Sequence, residues 1–324
     1  MRAMSCSRYG GPEVLELVER PMPAPGPGQL RVRVVASSVN PIDWKLVSGI
    51  LRPMVPSFPF VPGYDIAGQV DAVGTGVSGF AVGQRVHARI GAMSAGGSAE
   101  YALAGVDVTC AMPEGMSYAD AAGMPLAGMT ALQGLRDRAG LVMRGSTQRV
   151  LVVGASGGVG HYAVQIAVAA GATVVGVSSG RNTALVRQLG AVEALDYTVP
   201  DVLRGQAPFD IVYQSVGHDY ATYLPLLRPG GCFVTPIPGP STFVRALANP
   251  FARNPVRAIM LKSNAADLAV LDQLYEAGAL KTVVDSRFPL ERLAEAWQRS
   301  ISGRAVGKVI VDVSGDGSAD VRAE

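Results

Sequence analysis

The hydrophobic pattern is most regular in residues 150–181. Val150, Leu151, Val152 and Val153 form an unbroken apolar run, as in a strand covered on both faces of a parallel sheet. A glycine-rich turn follows, after which Val159, Tyr162, Ala163, Ile166, Ala167 and Ala170 recur at helical spacing, and Gly171 stands where a left-handed C-cap ends a helix. A second apolar run, 173–177, comes at once. Strand, glycine turn, helix and strand within about thirty residues predict a βαβ unit whose turn opens a helix N-terminus suited to phosphate.

Beyond this unit the alternation continues, with a helix predicted over 183–189 up to Gly190 and strands over 193–195, 210–213 and 231–234. Strand and helix in turn argue an α/β doubly wound parallel Rossmann sheet. The first 120 or so residues have another grain: short β-rich runs between Gly and Pro, as in the alternating segment 30–35, predict a second, mostly antiparallel domain. The segment 21–28 (PMPAPGPG) reads as an irregular connection. Helical patterns cover 118–122 and 126–132, then amphipathic helices 265–277 and 290–301, a strand 308–313 and a small polar tail, 314–324, expected to fray.

The turn chemistry sharpens this. The G-x-G-x-x-G spacing falls on Ala155-Ser156-Gly157-Gly158-Val159-Gly160, with alanine first. Gly157 would let backbone approach a pyrophosphate and Gly160 would let the helix pack on the strand, so Ser156, Gly157, Gly158 and Val159 are candidate dinucleotide contacts. About twenty residues on, where an Asp or Glu would hold the ribose of NAD, stand Ser178-Ser179-Gly180-Arg181. No carboxylate is present there to repel a 2′-phosphate, and Ser178 and Arg181 could bind one, so NADPH is the favoured cofactor. Arg181 can equally be a solvated helix-start residue. The loops 215–217 and 236–237 lie at carboxyl ends of strands, so Val216 and Ile237 should flank the nicotinamide.

Charge changes the picture little: 28 Lys and Arg against 26 acids give +2, with 48% hydrophobic residues, so neither nucleic acid nor a membrane is an expected partner. The start, MRAMSCSRYGGPEV, offers no apolar signal segment, and a cytoplasmic protein is expected. Cys6, Cys110 and Cys232 are too scattered for a disulfide framework or a Cys-x-x-Cys metal site. From 220 to 266 there is no Asp or Glu, while Arg228, Arg245, Arg253, Arg257 and Lys262 are present. That segment is either a solvated loop or a field for the phosphates of a coenzyme A thioester.

Across the chain, Asn40-Pro41-x-Asp43, Gly63-x-Asp65-x-Ala67-Gly68-x-Val70, Gly83-x-Arg85-Val86, Gly97-x-Ala99-Glu100-Tyr101, the 155–160 turn and Gly303-x-Ala305-x-Gly307-Lys308-Val309 follow one another in an order that resembles the medium-chain dehydrogenase/reductases. Within them the chain is similar to the zinc-free quinone oxidoreductase branch. The zinc enzymes carry a Cys near Asn40 and a His where Tyr64 stands, so no metal is expected. The resemblance implies a GroES-like catalytic domain at 1–123, a Rossmann domain at 124–262 and a segment 263–324 returning to the first. It implies cofactor contacts from Asn40, Asp43, Thr130, Tyr197 and Lys308, although Thr130 can instead be a helix-interior threonine bonding its own backbone.

In that branch, hydride adds to the β-carbon of an electron-poor alkene, or to a quinone, and hydrogen-bond donors must stabilise the developing oxyanion without zinc. Asn40, Trp44 and Tyr64 are the candidate catalytic residues. Tyr64 is expected to face the cleft, where its phenol donates or protonates, with water as the other proton source. An enoyl-thioester reductase and a non-catalytic NADPH-binding protein are the alternatives to a quinone or enone reductase. The resemblance also implies a small-molecule substrate and a homo-oligomer, with a dimer favoured.

Overall fold

The computed structural model describes residues 1–50, 57–91, 96–217 and 220–314. Most of the tail expected at 314–324 therefore lies outside the described residues. The chain forms two units, the first comprising Met1–Leu126, Ser263–Gln273 and Thr282–Glu324, and the second Ala127–Lys262 and Leu274–Lys281.

In the first unit β1 (Arg2–Cys6) pairs antiparallel with β2 (Leu15–Glu19). A seven-stranded sheet runs β14 (Val284–Pro289), β15 (Lys308–Asp312), β3 (Gln29–Val39), β4 (Asp65–Val73), β5 (Arg85–Arg89), β7 (Thr109–Ala111), with β6 (Tyr101–Gly105) also paired to β3. Alternation along β3 does what the sequence predicts: Leu30, Val32 and Val34 are buried, and the residues between them are only partly covered. All pairings in this sheet are antiparallel except that of β14 with β15. The core gathers Val32, Ile66 and Val86 with Trp297 of α8 (Leu293–Ile301), the last turn before that helix being a 3-10 turn rather than the expected start of the α-helix. A buried polar tie lies beside it. His87 of β5 puts Nδ1 3.2 Å from the Ala121 carbonyl of α2 (Tyr118–Gly123) and Nε2 3.1 Å from Asp272 of α7 (Ala265–Glu276).

The second unit is a six-stranded, all-parallel sheet. Its order is β10 (Glu193–Asp196), β9 (Thr173–Ser178), β8 (Arg149–Val153), β11 (Phe209–Gln214), β12 (Leu227–Thr235), β13 (Val256–Ala258). Strands β8, β9 and β10 step one way from the middle and β11, β12 and β13 the other, so the topology switches between β8 and β11. The helices include α3 (Pro125–Gln133), α4 (Gly160–Ala169), α5 (Thr183–Gln188) and α6 (Pro240–Leu247).

Two domain limits differ from expectation. The first unit extends to Leu126, and Leu274–Lys281 belongs with the second unit rather than the first. The reason is a paired hydrogen bond from α4: the Gln165 side chain donates to the Lys281 carbonyl at 3.0 Å and accepts its N–H at 2.9 Å. Among the described residues no helix is long and apolar enough to cross a membrane.

Candidate functional site

In the second unit the glycine turn stands at the switch point, where open α/β sheets bind ligands. Gly154 takes φ +80°, which a side chain disfavours, and turns the chain out of β8. A Cβ at Gly160 would lie 1.9 Å from the Gly154 carbonyl oxygen, so only glycine lets α4 begin this close to the strand. At Gly157 a Cβ would come no nearer than 3.3 Å to that oxygen, which leaves the face above it open to an approaching group. The His161 and Ala163 N–H groups are taken by the Gly157 and Val159 carbonyls and the Gly157 N–H by the Gly154 carbonyl, whereas Ser156, Gly158 and Val159 stand at the N-terminus of α4, where backbone donors suit a pyrophosphate, so the residues present fit the cofactor.

Around this cradle lie the other candidates of this unit. Val216, after β11, lies beside Gly154, where a Cβ would meet Val216 Cγ1 at 2.5 Å, and Ile237, after β12, lies beside Gly217. Both are exposed apolar residues, 46% and 40% accessible, at the carboxyl ends of their strands. Ser178 and Asp196 are register partners at the ends of β9 and β10, and Tyr197 N–H donates to the Ser178 carbonyl at 3.1 Å. Tyr197 and Arg181 are exposed. Asn182, unmarked in the sequence, donates to Ser156 Oγ at 3.0 Å and ties the two turns together. Thr130 is buried on α3, its carbonyl accepting from the Tyr213 hydroxyl at 3.2 Å.

One expectation here needs correction. A carboxylate does reach the ribose-side loop, not from the end of β9 but from the neighbouring strand: a Cβ at Gly180 would meet Asp196 Oδ2 at 2.3 Å. In the basic stretch that follows, several charges are already engaged within the unit. Arg228 pairs with Asp210, Arg245 donates to the Asn254 carbonyl, and Arg257 donates to the Arg138 carbonyl.

In the first unit, the chain leaves β3 at Asn40 and enters α1 (Pro41–Val47), with proline at the first helical position where its missing N–H costs nothing. Asp43 turns back to accept the Asn40 N–H at 2.6 Å. The Asn40 amide then faces inward, its Nδ2 donating to Asp65 Oδ2 at 2.8 Å and its Oδ1 accepting from Lys308 Nζ at 2.6 Å. Ser38 Oγ and the Leu126 N–H also donate to the Asp65 carboxylate, at 3.1 and 3.0 Å, and Lys308 Nζ is 3.9 Å from it. The side chains of Ser38, Asn40, Asp43, Asp65 and Lys308 are all buried. Asn40 stands near the place where the resemblance puts a cysteine of the zinc enzymes, and here it converges with Asp65 on the ammonium of Lys308. Asp65 and Ser38, not among the candidate site residues, are the centre of this network; the signal for Asp65 was its place in the Gly63-x-Asp65 motif, and for Ser38 its place two residues before Asn40.

Burial governs the protonation here. It pushes Asp65 up and Lys308 down, while each opposes the shift in the other. Burial raises Asp43 to about 7 against the pull of the Asn40 N–H, and its Oδ1 is buried without a partner. The folded chain therefore holds a proton on Asp43 that the unfolded chain has lost, and stability must fall as pH rises from about 4 to about 7. Asp43→Asn should flatten that part of the stability profile, measured by urea unfolding at pH 4.5, 6 and 8.

The three expected catalytic donors are less available than the sequence suggests. Both ends of the Asn40 amide are used, and Trp44 Nε1 donates to Ser300 Oγ at 3.2 Å. Tyr64, expected to face the cleft, is 1% exposed, in one core cluster with Ile66 and Ile90, and the Arg89 guanidinium lies 5.7 Å from its ring centroid. Burial pushes its phenol further above the usual range, so it is a poorer acid than a free tyrosine. No group of three or more His, Cys, Asp or Glu that could hold a metal ion occurs among the described residues.

Residues 26–179 match the alcohol dehydrogenase GroES-like domain, and residues 189–311 match the family described as zinc-binding dehydrogenase. The chain is 37% identical to the chloroplast envelope quinone oxidoreductase homolog of Arabidopsis thaliana over 96% of its length and 98% of the relative's. It is 32% identical to the NADPH-dependent alkenal/one oxidoreductase of the same plant, covering 96% of this chain and 79% of that one. The solved quinone oxidoreductase of Coxiella burnetii superposes with a TM-score of 0.88 at 30% identity, over 97% of this chain and 99% of that one. With both domain signatures matched in order and relatives aligned nearly end to end, the chain belongs to the medium-chain dehydrogenase/reductase family, in its quinone oxidoreductase-like branch.

Proposed function

We propose that the chain is an NADPH-dependent reductase that transfers hydride, without a metal, to an electron-poor C=C of an enone or to a quinone. The observation that carries this reading is the glycine turn at the topological switch, with Gly160 packed against Gly154 and apolar Val216 and Ile237 on the adjacent loops. The names of the relatives, a quinone oxidoreductase homolog and an NADPH-dependent alkenal/one oxidoreductase, support it.

When bound, the nicotinamide cofactor supplies the hydride. The N–H groups of Ser156, Gly158 and Val159 would hold its pyrophosphate over the open face of Gly157, whose own N–H is spent on the Gly154 carbonyl, and Arg181 with Tyr197 would take the 2′-phosphate. Val216 and Ile237 would cover the nicotinamide end and exclude water. Asn40, Asp43 and Lys308 act in this reading as a rigid support, since their polar atoms are largely spent on one another and on Asp65. With Tyr64 in the core, water delivers the proton to the α-carbon. Tyr64→Phe should then lower kcat less than about tenfold, whereas loss of a general acid costs about 10²–10⁴. A fall in kcat within that range would return the proton to the phenol.

The test of the activity is NADPH oxidation against 1,4-benzoquinone, a simple enone and crotonyl-CoA, with NADH in parallel and EDTA throughout. Turnover of quinone or enone with NADPH is expected. Turnover of crotonyl-CoA alone would mean a thioester reductase, and tight NADPH binding without turnover a binding protein.

A homodimer is part of the proposal. Phe243, Val244 and Leu247 of α6 and nearby Phe251 are exposed, the last at 95%, and a contiguous apolar surface of this kind suits a second copy. Light scattering on the eluting protein would test it. The free thiols Cys6, Cys110 and Cys232 suit a reducing compartment, and the cytosol is the one proposed.

A further inference from the structure

Asp196 ends β10 directly opposite Ser178, the last residue of β9. Its Oδ1 accepts the Thr198 N–H at 3.0 Å, and its Oδ2 lies against Gly180. Gly180 could not be another residue without moving this carboxylate, because a Cβ there would fall 2.3 Å from Oδ2. The same short loop is tied from its other side: Thr183 Oγ1 donates to the Gly180 carbonyl at 2.9 Å, and the Asn182 N–H donates to the Ser179 carbonyl at 2.8 Å. Within the loop Ser179 Oγ is shielded from solvent and has no partner, and Arg181 is exposed.

A carboxylate in this position has two possible effects of opposite sign. Its charge alone would repel a 2′-phosphate on the adenosine ribose. Its placement does something else: Oδ1 is held by the Thr198 N–H, and Oδ2 is packed against Gly180 on the neighbouring loop, so the carboxylate braces that loop. The packed carboxylate, with the Thr183 and Asn182 bonds on the other side, fixes the backbone at Gly180 and therefore the direction in which the exposed Arg181 is presented.

We propose that Asp196 is a positioning residue for cofactor selectivity: by bracing Gly180 it sets the exposed Arg181 to receive the 2′-phosphate of an NADP-type nucleotide, without touching the nucleotide itself. The proposal rests on the NADPH reading above and adds to it the residue on which the preference depends.

Calorimetric titration with 2′-phospho-ADP-ribose and with ADP-ribose separates the possibilities without any turnover. The unchanged protein should bind the phosphorylated fragment at least about tenfold more tightly, the worth of one or two charge-assisted hydrogen bonds. Asp196→Ala should remove most of that preference and leave ADP-ribose affinity within about twofold, as expected when only the contacts to the added phosphate are lost. Asp196→Asn, which keeps one oxygen acceptor, should retain part of it. Gly180→Ala, which displaces the carboxylate while leaving it in the chain, should repeat the Asp196→Ala result. If Asp196→Ala instead tightened the phosphorylated fragment, the carboxylate would be a repelling group. An equal loss for both fragments would make it a general structural residue, and an unchanged ratio would leave it no part in selectivity; each outcome overturns the proposal. An unchanged protein with no preference at all would overturn the NADPH reading, whereas a preference that survives Asp196→Ala would overturn the positioning role alone.

Discussion

Lys308→Met is expected to destabilise the first unit by about 3–5 kcal/mol, the usual cost of removing one partner from a buried charge pair. Asp65 is fully buried, and Lys308 is a cation of its network, 3.9 Å from Oδ2 and hydrogen-bonded to the Asn40 amide that itself donates to Asp65. Methionine fills a similar volume, so packing changes little and the loss is electrostatic. The Arg89 guanidinium, on the residue across the ladder from Asp65, can offset only part of it. Both tryptophans, Trp44 and Trp297, belong to the first unit, so their fluorescence in a urea titration reports on that unit alone. The paired substitution Asp65→Asn with Lys308→Met should be more stable than Lys308→Met by itself. A cost below about 1 kcal/mol for Lys308→Met would mean that the ammonium adds no more than an exposed ion pair does.

Gly160→Ala should impair both the second unit and its cofactor site. The added Cβ would sit 1.9 Å from the Gly154 oxygen and 2.7 Å from its carbon, and both are backbone atoms that cannot rotate away. The turn or the start of α4 has to move, at a cost of about 1–3 kcal/mol for overpacking. A displacement of about 1 Å at a binding turn is worth roughly a hundredfold in affinity or rate. Gly157→Ala is the informative contrast, because its Cβ would approach the Gly154 oxygen only to 3.3 Å. It should leave the melting temperature nearly unchanged and still weaken NADPH binding, by closing the face that the pyrophosphate approaches. Equal behaviour of the two variants would refute the separate roles given to these glycines.

Local features of the chain were legible from its sequence, and long-range ones were not. The βαβ unit stood out because period and turn chemistry agree within one short segment, and the alternation along β3 marked its buried face correctly. The residues of the glycine turn lie where the spacing put them. Tyr64 was misjudged because its place in a motif fixes its neighbours in sequence and not the direction of its ring, which the apolar cluster of the first unit determines. The Asp65–Lys308 contact joins the first strands of the sheet to the last, and nothing in the periodicity of either segment announces it. The reach of Asp196 to the ribose-side loop was hidden for a related reason: the chain after β9 carries no acid, and it is the parallel ladder that brings the end of β10 beside it. Leu274–Lys281, placed with the first domain on the resemblance, groups with the second unit, where Gln165 of α4 bonds Lys281, a contact that no local pattern announces.

The most direct measurement is the fate of hydride from NADPH carrying deuterium at the transferable position of the nicotinamide, incubated with a simple enone after exhaustive chelation. The account predicts that the saturated ketone carries one deuterium at the β-carbon and a solvent hydrogen at the α-carbon, at a rate unaffected by EDTA. Reduction at the carbonyl to an allylic alcohol, or activity that disappears on chelation and returns with zinc, would contradict it.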